Sequence, residues 1–492
     1  MPDSPHLEAM THKIYAPSVH LFAFHQRNGL ASDSSPVESA NSRLWQKCDQ
    51  IFEKLKIENL KLTQELAPPK ESDSSRVLLA KAEIKEQNVS PPFDVSLPFD
   101  VQILLDESEV VKIAGFAYPL QTPDSYALWL NLRRPERENG QKTASVEPAL
   151  LGKLNPDNCL LPEFIDSSLG QTLLITAWLT EGQNSQDKLF LKELANQCVN
   201  NFIPAPDKRP SFNRDGLLFG SPIFEYGIIN QPPPYRHILV WLLCHSVPEI
   251  KFGKCYQELM ELFSYRSKIV QAYQTSRSVC KQVSEEYGNI EREIEIIYQL
   301  SEGRLRDSEM LRFKEQLKLL PKRALEYSRF LRDLQQCRHT IGINAHKYED
   351  KVNQIQSKLQ SDSLEFLQTF SQKNCLSLQE QIQADLNYFE HGVGLQEKML
   401  GAIRGMVEIE QAERERHLQD TVGWLGVGIG TAAVVGSCSA HLIPANPIQP
   451  PFTSDTLHPF IVSALASVLG GVAAGWVARL FLERRRKKAA KK

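Results

Sequence analysis

Proline is nearly missing from the middle of this chain. Of 29 prolines in 492 residues, 23 fall at or before Pro248, and Pro321 alone stands between Pro248 and Pro444. Proline removes a helical donor and clashes with the preceding turn, so the gap predicts long helices. Excess charge is missing too. The 56 Lys+Arg balance 59 Asp+Glu to a formal −3, which excludes a strongly basic protein with nucleic acid as its main partner. The nine cysteines (Cys48, Cys159, Cys198, Cys244, Cys255, Cys280, Cys337, Cys375, Cys438) include no C-x-x-C spacing. An odd, widely spaced set fits free thiols in a reducing compartment better than a disulfide framework. Met1–His20 has neither a basic start nor a long apolar core, so no signal peptide is expected.

Motifs of chemistry are also missing. There is no Gly-x-x-x-x-Gly-Lys-Ser/Thr loop, no Gly-x-Ser-x-Gly elbow and no His-Glu-x-x-His. Gly426-x-Gly428-x-Gly430 lies in an apolar run without a preceding soluble strand, which excludes the dinucleotide reading. His339 and His346 share a helix face with Asp350 one turn on. Seven residues span about 10 Å of axis, too far for two direct ligands of one ion. His20 and His25 bracket a strand on opposite faces, as ordinary surface or core histidines do. No catalytic or cofactor-binding residue emerges, and the metal question stays open.

What is present is a change of composition. Apolar residues make up 42% and charged residues 23%, ordinary globular values. Residues 1–248 hold short runs rich in Val, Ile, Leu and aromatics: His20–His25, Val77–Ile84, Val101–Leu105, Val110–Tyr118, Tyr126–Leu132, Thr172–Leu179 and Ile238–Cys244. Helices are expected at Ser42–Leu62 and Lys188–Asn200. Polar stretches at Asn28–Asn41, Ala67–Ser75, Arg133–Glu147 and Pro204–Asp215 read as surface loops. Without regular βαβ alternation, the class is an α+β domain.

Residues 249–420 read as a helical coiled-coil stalk. Tyr273, Ser276, Cys280, Val283, Tyr287, Ile290, Ile294 and Ile297 step by three and four, as do Leu331, Leu334, Arg338, Ile341, Ala345, Tyr348, Val352, Ile355 and Leu359. A third helix, Leu376–Asp420, carries Ile382, Leu386, Phe389, Val393, Leu400, Ile403 and Val407 on one side. Breaks are expected near Ser301, at Pro321 and around Asn374. Three helices of about 70 Å each suggest an antiparallel stalk, with coiled coils between chains as the alternative.

Two apolar runs follow. Residues 421–443 carry no formal charge apart from His441 when protonated, and residues 460–482 carry only Arg479. Each is long enough to cross a bilayer core of about 30 Å. The loop at 444–459 has no basic residue, whereas the tail at 483–492 has seven. Basic residues stay cytoplasmic, so both termini are expected inside an integral membrane protein of a bacterial inner membrane or a similar one. Arg484, Arg485, Arg486, Lys487 and Lys488 are the expected cytoplasmic anchor against lipid headgroups. Gly426 with Gly430, and Gly471 with Gly475, are spaced for helix packing within the hairpin or between copies.

A large cytoplasmic domain, long helices, two C-terminal spans with a short outer loop and a basic tail together resemble the CorA-type magnesium-channel superfamily. The likeness is closest over Gln379–Lys492. It implies a stalk helix running into the first span and five chains around a pore. The family's Gly-Met-Asn signature is absent: Gly436–Pro444 reads GSCSAHLIP, and the loop has a single acid, Asp455. No residue role is therefore carried over. The leading expectation is a non-enzymatic membrane-anchored scaffold. It would present the α+β module, with the lipid bilayer and copies of itself or other proteins as partners. A divergent cation channel is the alternative, and an enzyme in residues 1–248 a third.

Overall fold

The computed structural model describes residues 12–27, 37–58, 60–66, 77–79, 97–105, 109–122, 124–231, 234–300, 306–359, 364–442 and 459–489. These form two compact units, one of residues 1–284 with 329–389 and one of residues 285–328 with 390–492.

The first unit is built on a nine-stranded mixed sheet. Its strands are β1 (Ile14–Gln26), β2 (Val77–Leu78), β3 (Leu97–Leu104), β4 (Val110–Gln121), β5 (Ser125–Arg133), β8 (Gly170–Leu179), β9 (Phe212–Leu218), β10 (Ser221–Tyr226) and β11 (His237–Leu243). The order is β2-β4-β5-β1-β8-β11-β10-β9, with β3 also on β4. Every pair is antiparallel except β8 with β11. The α+β class therefore holds, and each expected strand run has a counterpart. Within Val77–Ile84, only Val77–Leu78 is described as strand, and residues 80–84 lie outside the described residues.

Three loop expectations are corrected, the first because α1 (Val37–Lys54) already begins inside Asn28–Asn41. Pro204–Asp215 already contains the start of β9, which pairs with β10 through a two-residue turn at Phe219 (φ 50°) and Gly220 (φ 85°). Two left-handed residues in succession match the twist of a tight hairpin. Arg133–Glu147 contains a second hairpin, β6 (Arg137–Glu138) and β7 (Gln141–Lys142), turning at Asn139 and Gly140. The asparagine–glycine pair is the strong turn signal there.

Alternation gives the sheet two buried faces. Val19, Leu21, Leu128, Leu130, Leu173, Ile175, Ile238 and Val240 point into the main core. They meet α1 (Val37–Lys54) through Leu44, Trp45, Cys48 and Phe52, and α5 (Lys188–Phe202) through Leu191, Leu194, Cys198 and Phe202. The Asp187 carboxylate caps α5 by accepting from Phe190 N at 3.0 Å. Short helices α2 (Leu62–Glu65), α3 (Leu150–Lys153) and α4 (Pro162–Ile165) complete this layer. The opposite face is aromatic and lies under α6 (Val247–Leu300): Phe22 stacks on Trp129 at 5.2 Å and meets Phe263 at 5.0 Å.

The remaining helices are α7 (Asp307–Leu359), α8 (Glu365–Thr369), α9 (Cys375–Leu442) and α10 (Pro459–Ala489). Pro321 does not interrupt α7, contrary to expectation. An interior proline costs about 3 kcal/mol, and the burial of Phe313, Leu320 and Tyr327 opposes that cost. Nor is there a break at Asn374: a π-helical turn, Phe370–Asn374, leads directly into α9. In the first unit, Lys351 reaches Glu261 at 2.6 Å and Lys358 reaches Glu258 at 3.0 Å, tying α7 to α6. Arg277 of α6 pairs with Asp385 of α9.

The second unit has its own core. Ile297 of α6, Met310, Phe313 and Leu320 of α7, and Met399, Ile403 and Val407 of α9 bury one another. Arg323 joins Glu286 at 2.9 Å and Glu293 at 2.7 Å. Most expected seam positions are buried, but Val393 is 37% exposed. Gly392 takes its place, with the Tyr327 hydroxyl only 2.2 Å from where a Cβ would stand.

Candidate functional site

The aromatic face of the sheet carries a cavity of about 920 Å³ where the first turns of α6 cross β5, β1, β8 and β11. Three local features open it. Ala16, at φ 45°, forms a bulge that shifts the β1 register between Tyr15 and Ser18. Bulges re-aim side chains and often border functional sites. Cys255 leaves helical geometry at φ −123° and ψ 18°, so α6 bends just beyond its lining residues Glu249, Phe252 and Lys254. The third is Arg133 to Arg137, which carries charge off the end of β5 into the cavity wall.

His20 lies in the floor, opposite Asn131 on one side and Leu174 on the other. Trp129 Nε1 donates to His20 Nδ1 at 3.2 Å, and Asn131 Nδ2 lies 3.1 Å from the same nitrogen. Donors converging on Nδ1 place the ring proton on Nε2, 3.2 Å from Ser18 Oγ. Burial first, then the charge of Arg133, lower His20 to about 3. The imidazole is therefore neutral and has both nitrogens committed.

The charges at the rim do not balance. Arg133, Arg134, Arg137, Lys254 and Lys358 line the cavity against Glu136 and Glu249. Burial lowers the Arg133 pKa while Glu249 and Glu136 oppose it. Burial and then Glu136 raise the Glu249 pKa while Arg133 lowers it. The Glu136 carboxylate also accepts from Trp178 Nε1 at 3.0 Å. Arg134 is different. It is 8% exposed, its backbone N–H donates to Pro17 O at 3.0 Å, and its Nε and Nη1 have no acceptor among the described residues. Asn131 Oδ1, equally buried, has no donor among them.

A second polar cluster occupies the same face nearer the β9 edge. Glu225 takes Arg214 Nε at 2.6 Å and also pairs with Arg266, whose Nη2 donates to the Tyr235 hydroxyl at 3.0 Å. His237 Nδ1 lies 2.9 Å from Thr172 Oγ1, and its Nε2 lies 3.4 Å from Glu225. Burial alone would raise the Glu225 carboxyl, but Arg266, His237 and Arg214 hold it well below its usual range. Burial and then Arg266 lower His237 to about 4. Arg266 lies flat over Phe370 at 4.1 Å and Arg214 over Phe366 at 4.3 Å. This cluster joins the sheet to α6, α8 and the π-helical turn; Glu225 offsets its two arginines in part, while Arg266 Nε and His237 Nε2 make no hydrogen bond among the described residues.

The sequence-derived positions fall elsewhere. Two helices are long and apolar enough to cross a membrane, within Glu365–Cys438 and Phe460–Arg484, and their apolar windows are 0% and 11% buried. Gly471 and Gly475 meet the first helix at Gly428, since a Cβ on Gly428 would stand 3.0 Å from Gly471 O. A Cβ on Gly426 or Gly430 would have nothing within 4 Å among the described residues. Arg484 is exposed, and the side chains of Arg485, Arg486, Lys487 and Lys488 lie outside the described residues, as does the loop at 443–458. His339 is exposed, and His346 is an exposed partner of Asp350 at 3.6 Å. All nine cysteines are free, and Cys198 is pushed up to about 12 by burial.

Sequence reasoning missed the cavity altogether, because Arg133–Glu147 read as a solvated loop. The one available signal was the Arg-Arg-Pro run at the end of a strongly apolar strand. No protein-family model, curated protein or solved structure matches the chain.

Proposed function

We propose that this is a membrane-anchored, non-enzymatic protein whose coiled-coil helices link an α+β module to the bilayer as a scaffold. The observation that carries the reading is the pair of apolar helices. They leave their surfaces almost wholly uncovered while touching each other along Gly428, Gly471 and Gly475. Water does not tolerate that much exposed apolar surface, whereas a bilayer core requires it. The basic tail from Arg484 onward and the loop without basic residues orient the hairpin, with both termini cytoplasmic. The outward sides of the long helices, where Leu311, Leu319, Leu325 and Ile343 are exposed, supply surface for copies of the chain or for partner proteins.

Extraction of membranes at alkaline pH tests the anchor on the full chain. Retention in the pellet is the expected result, and release into the supernatant would overturn it. A cysteine placed at Asp455 should react with an impermeant maleimide in intact cells, and protection there would invert the topology.

A second reading, a cation conduit of CorA-like topology, is favoured by two observations. Helix α9 continues unbroken over Cys375–Leu442, and Gly426 and Gly430 present a face with nothing packed on it among the described residues. Native mass spectrometry in mild detergent separates the two. A pentamer supports the conduit, and a monomer, dimer or trimer removes it.

A further inference from the structure

We infer that the cavity beneath the start of α6 binds a small organic anion, a flat nitrogen-bearing ring carrying a phosphate, of nucleoside monophosphate size. The inference stands apart from the membrane reading, since it concerns only the first unit.

Three observations carry it. Arg134 is an obligatory cation, nine-tenths buried, with Nε and Nη1 lacking any acceptor among the described residues. A buried charge without a counter-charge is strongly unfavourable, so an arginine held this way fits a site completed by an anion. Guanidinium geometry matches phosphate through two parallel hydrogen bonds. Nearby acids do not fill the role: Glu136 is held by Trp178, and Glu249 and Glu136 face Arg133.

Second, Asn131 Oδ1 is a buried acceptor without a donor. Its amide nitrogen is already spent on Ser18 Oγ at 2.7 Å, so the oxygen's orientation is fixed by the network around it. The ligand must then bring an N–H group as well as an anion. Third, the walls include the partly exposed Trp178, Phe252 and Tyr256. Flat rings recruit flat rings. A volume of about 920 Å³ lies in the range of small-molecule sites and leaves room for a nucleotide with its water.

The test uses full-length protein in detergent, titrated with AMP, GMP and UMP and separately with inorganic phosphate. Binding is followed by calorimetry and by tryptophan fluorescence, because Trp129, Trp178 and Trp241 line the cavity. Saturable binding of at least one nucleoside monophosphate is expected, with phosphate alone at least tenfold weaker. Arg134→Met should weaken that binding tenfold or more while the unliganded melting temperature stays level or rises, because an uncompensated charge has been removed. Glu249→Gln should tighten it several-fold. No saturable binding by any of the three nucleotides would overturn the inference. So would phosphate binding as tightly as the nucleotides, an Arg134→Met protein that melts lower without ligand, or a Glu249→Gln protein that binds no better.

Discussion

Glu225 of β10 and Arg266 of α6 form an ion pair whose side chains are 1% and 5% exposed, on the same sheet face as the cavity but outside its lining. Glu225→Gln leaves the buried Arg266 and the half-buried Arg214 beside a neutral amide. Breaking one side of a buried pair costs about 3–5 kcal/mol. Chemical denaturation of the full chain should show a loss of that size. Replacing Glu225 and Arg266 together by Gln and Met should cost less than Glu225→Gln alone, and a strictly additive pair of losses would deny the coupling.

Acid should act on this unit before its carboxylates matter. In the fold His20 titrates at about 3 and His237 at about 4, against 6.5 for an unperturbed histidine. Between those values the unfolded chain binds the extra protons, so stability is full above pH 6.5 and declines below it. Each histidine contributes a slope of about 1.4 kcal/mol per pH unit. Glu225, held below its ordinary 4.5, adds its loss only as pH falls beneath that point. Denaturation midpoints between pH 7.5 and 5 should fall in wild type and fall less steeply in His237→Gln. A flat wild-type profile would contradict the buried neutral histidines.

Gly392 lies where Tyr327 and Tyr287 crowd α9. A methyl group there would stand 2.2 Å from the Tyr327 hydroxyl and 3.0 Å from the Tyr287 ring. Gly392→Ala should therefore cost about 1–3 kcal/mol through overpacking, despite alanine's better helix propensity. Tyr327→Phe in the same chain should restore part of the melting temperature. Stabilisation by Gly392→Ala alone would show that the seam does not close at this position.

The membrane glycines make a sharper comparison. Gly428→Val drives side-chain atoms at the Gly471 carbonyl, so the hairpin should melt lower in detergent. Gly426→Val and Gly430→Val meet nothing among the described residues and should leave melting unchanged. If those two instead lower the copy number seen by native mass spectrometry, their face packs on another copy.

The legible parts of the fold were those in which one segment carries its own pattern. Val110–Tyr118 and Tyr126–Leu132 are apolar runs between turn residues, and they became β4 and β5. The β9–β10 hairpin was missed because FNRDGLL at Phe212–Leu218 is half polar, and its turn uses Phe219 where an asparagine is the usual signal. Local propensity makes Pro321 a break, while burial of Phe313 and Leu320 acts across helices. The sites were less legible still. Arg266 meets Glu225 across 41 residues, and Asn131 meets His20 across 111. Neither pair leaves a spacing that a linear reading could find. Gly426 and Gly430 matched a packing motif, yet the contact falls on Gly428 between them, because spacing selects a face without saying which face is used.

The extra residue at Ala16 also acts as a phase corrector. Ile14 and Val19 are an odd number of positions apart, so strict alternation would send them to opposite sides of the sheet, yet both belong to the main core. By consuming one residue without a partner, the bulge brings the two halves of β1 back into step. Deleting Ala16 would leave Ile14 and Val19 four positions apart, so plain alternation would still hold both in the core, and the cavity wall, not the buried face, would lose its irregularity.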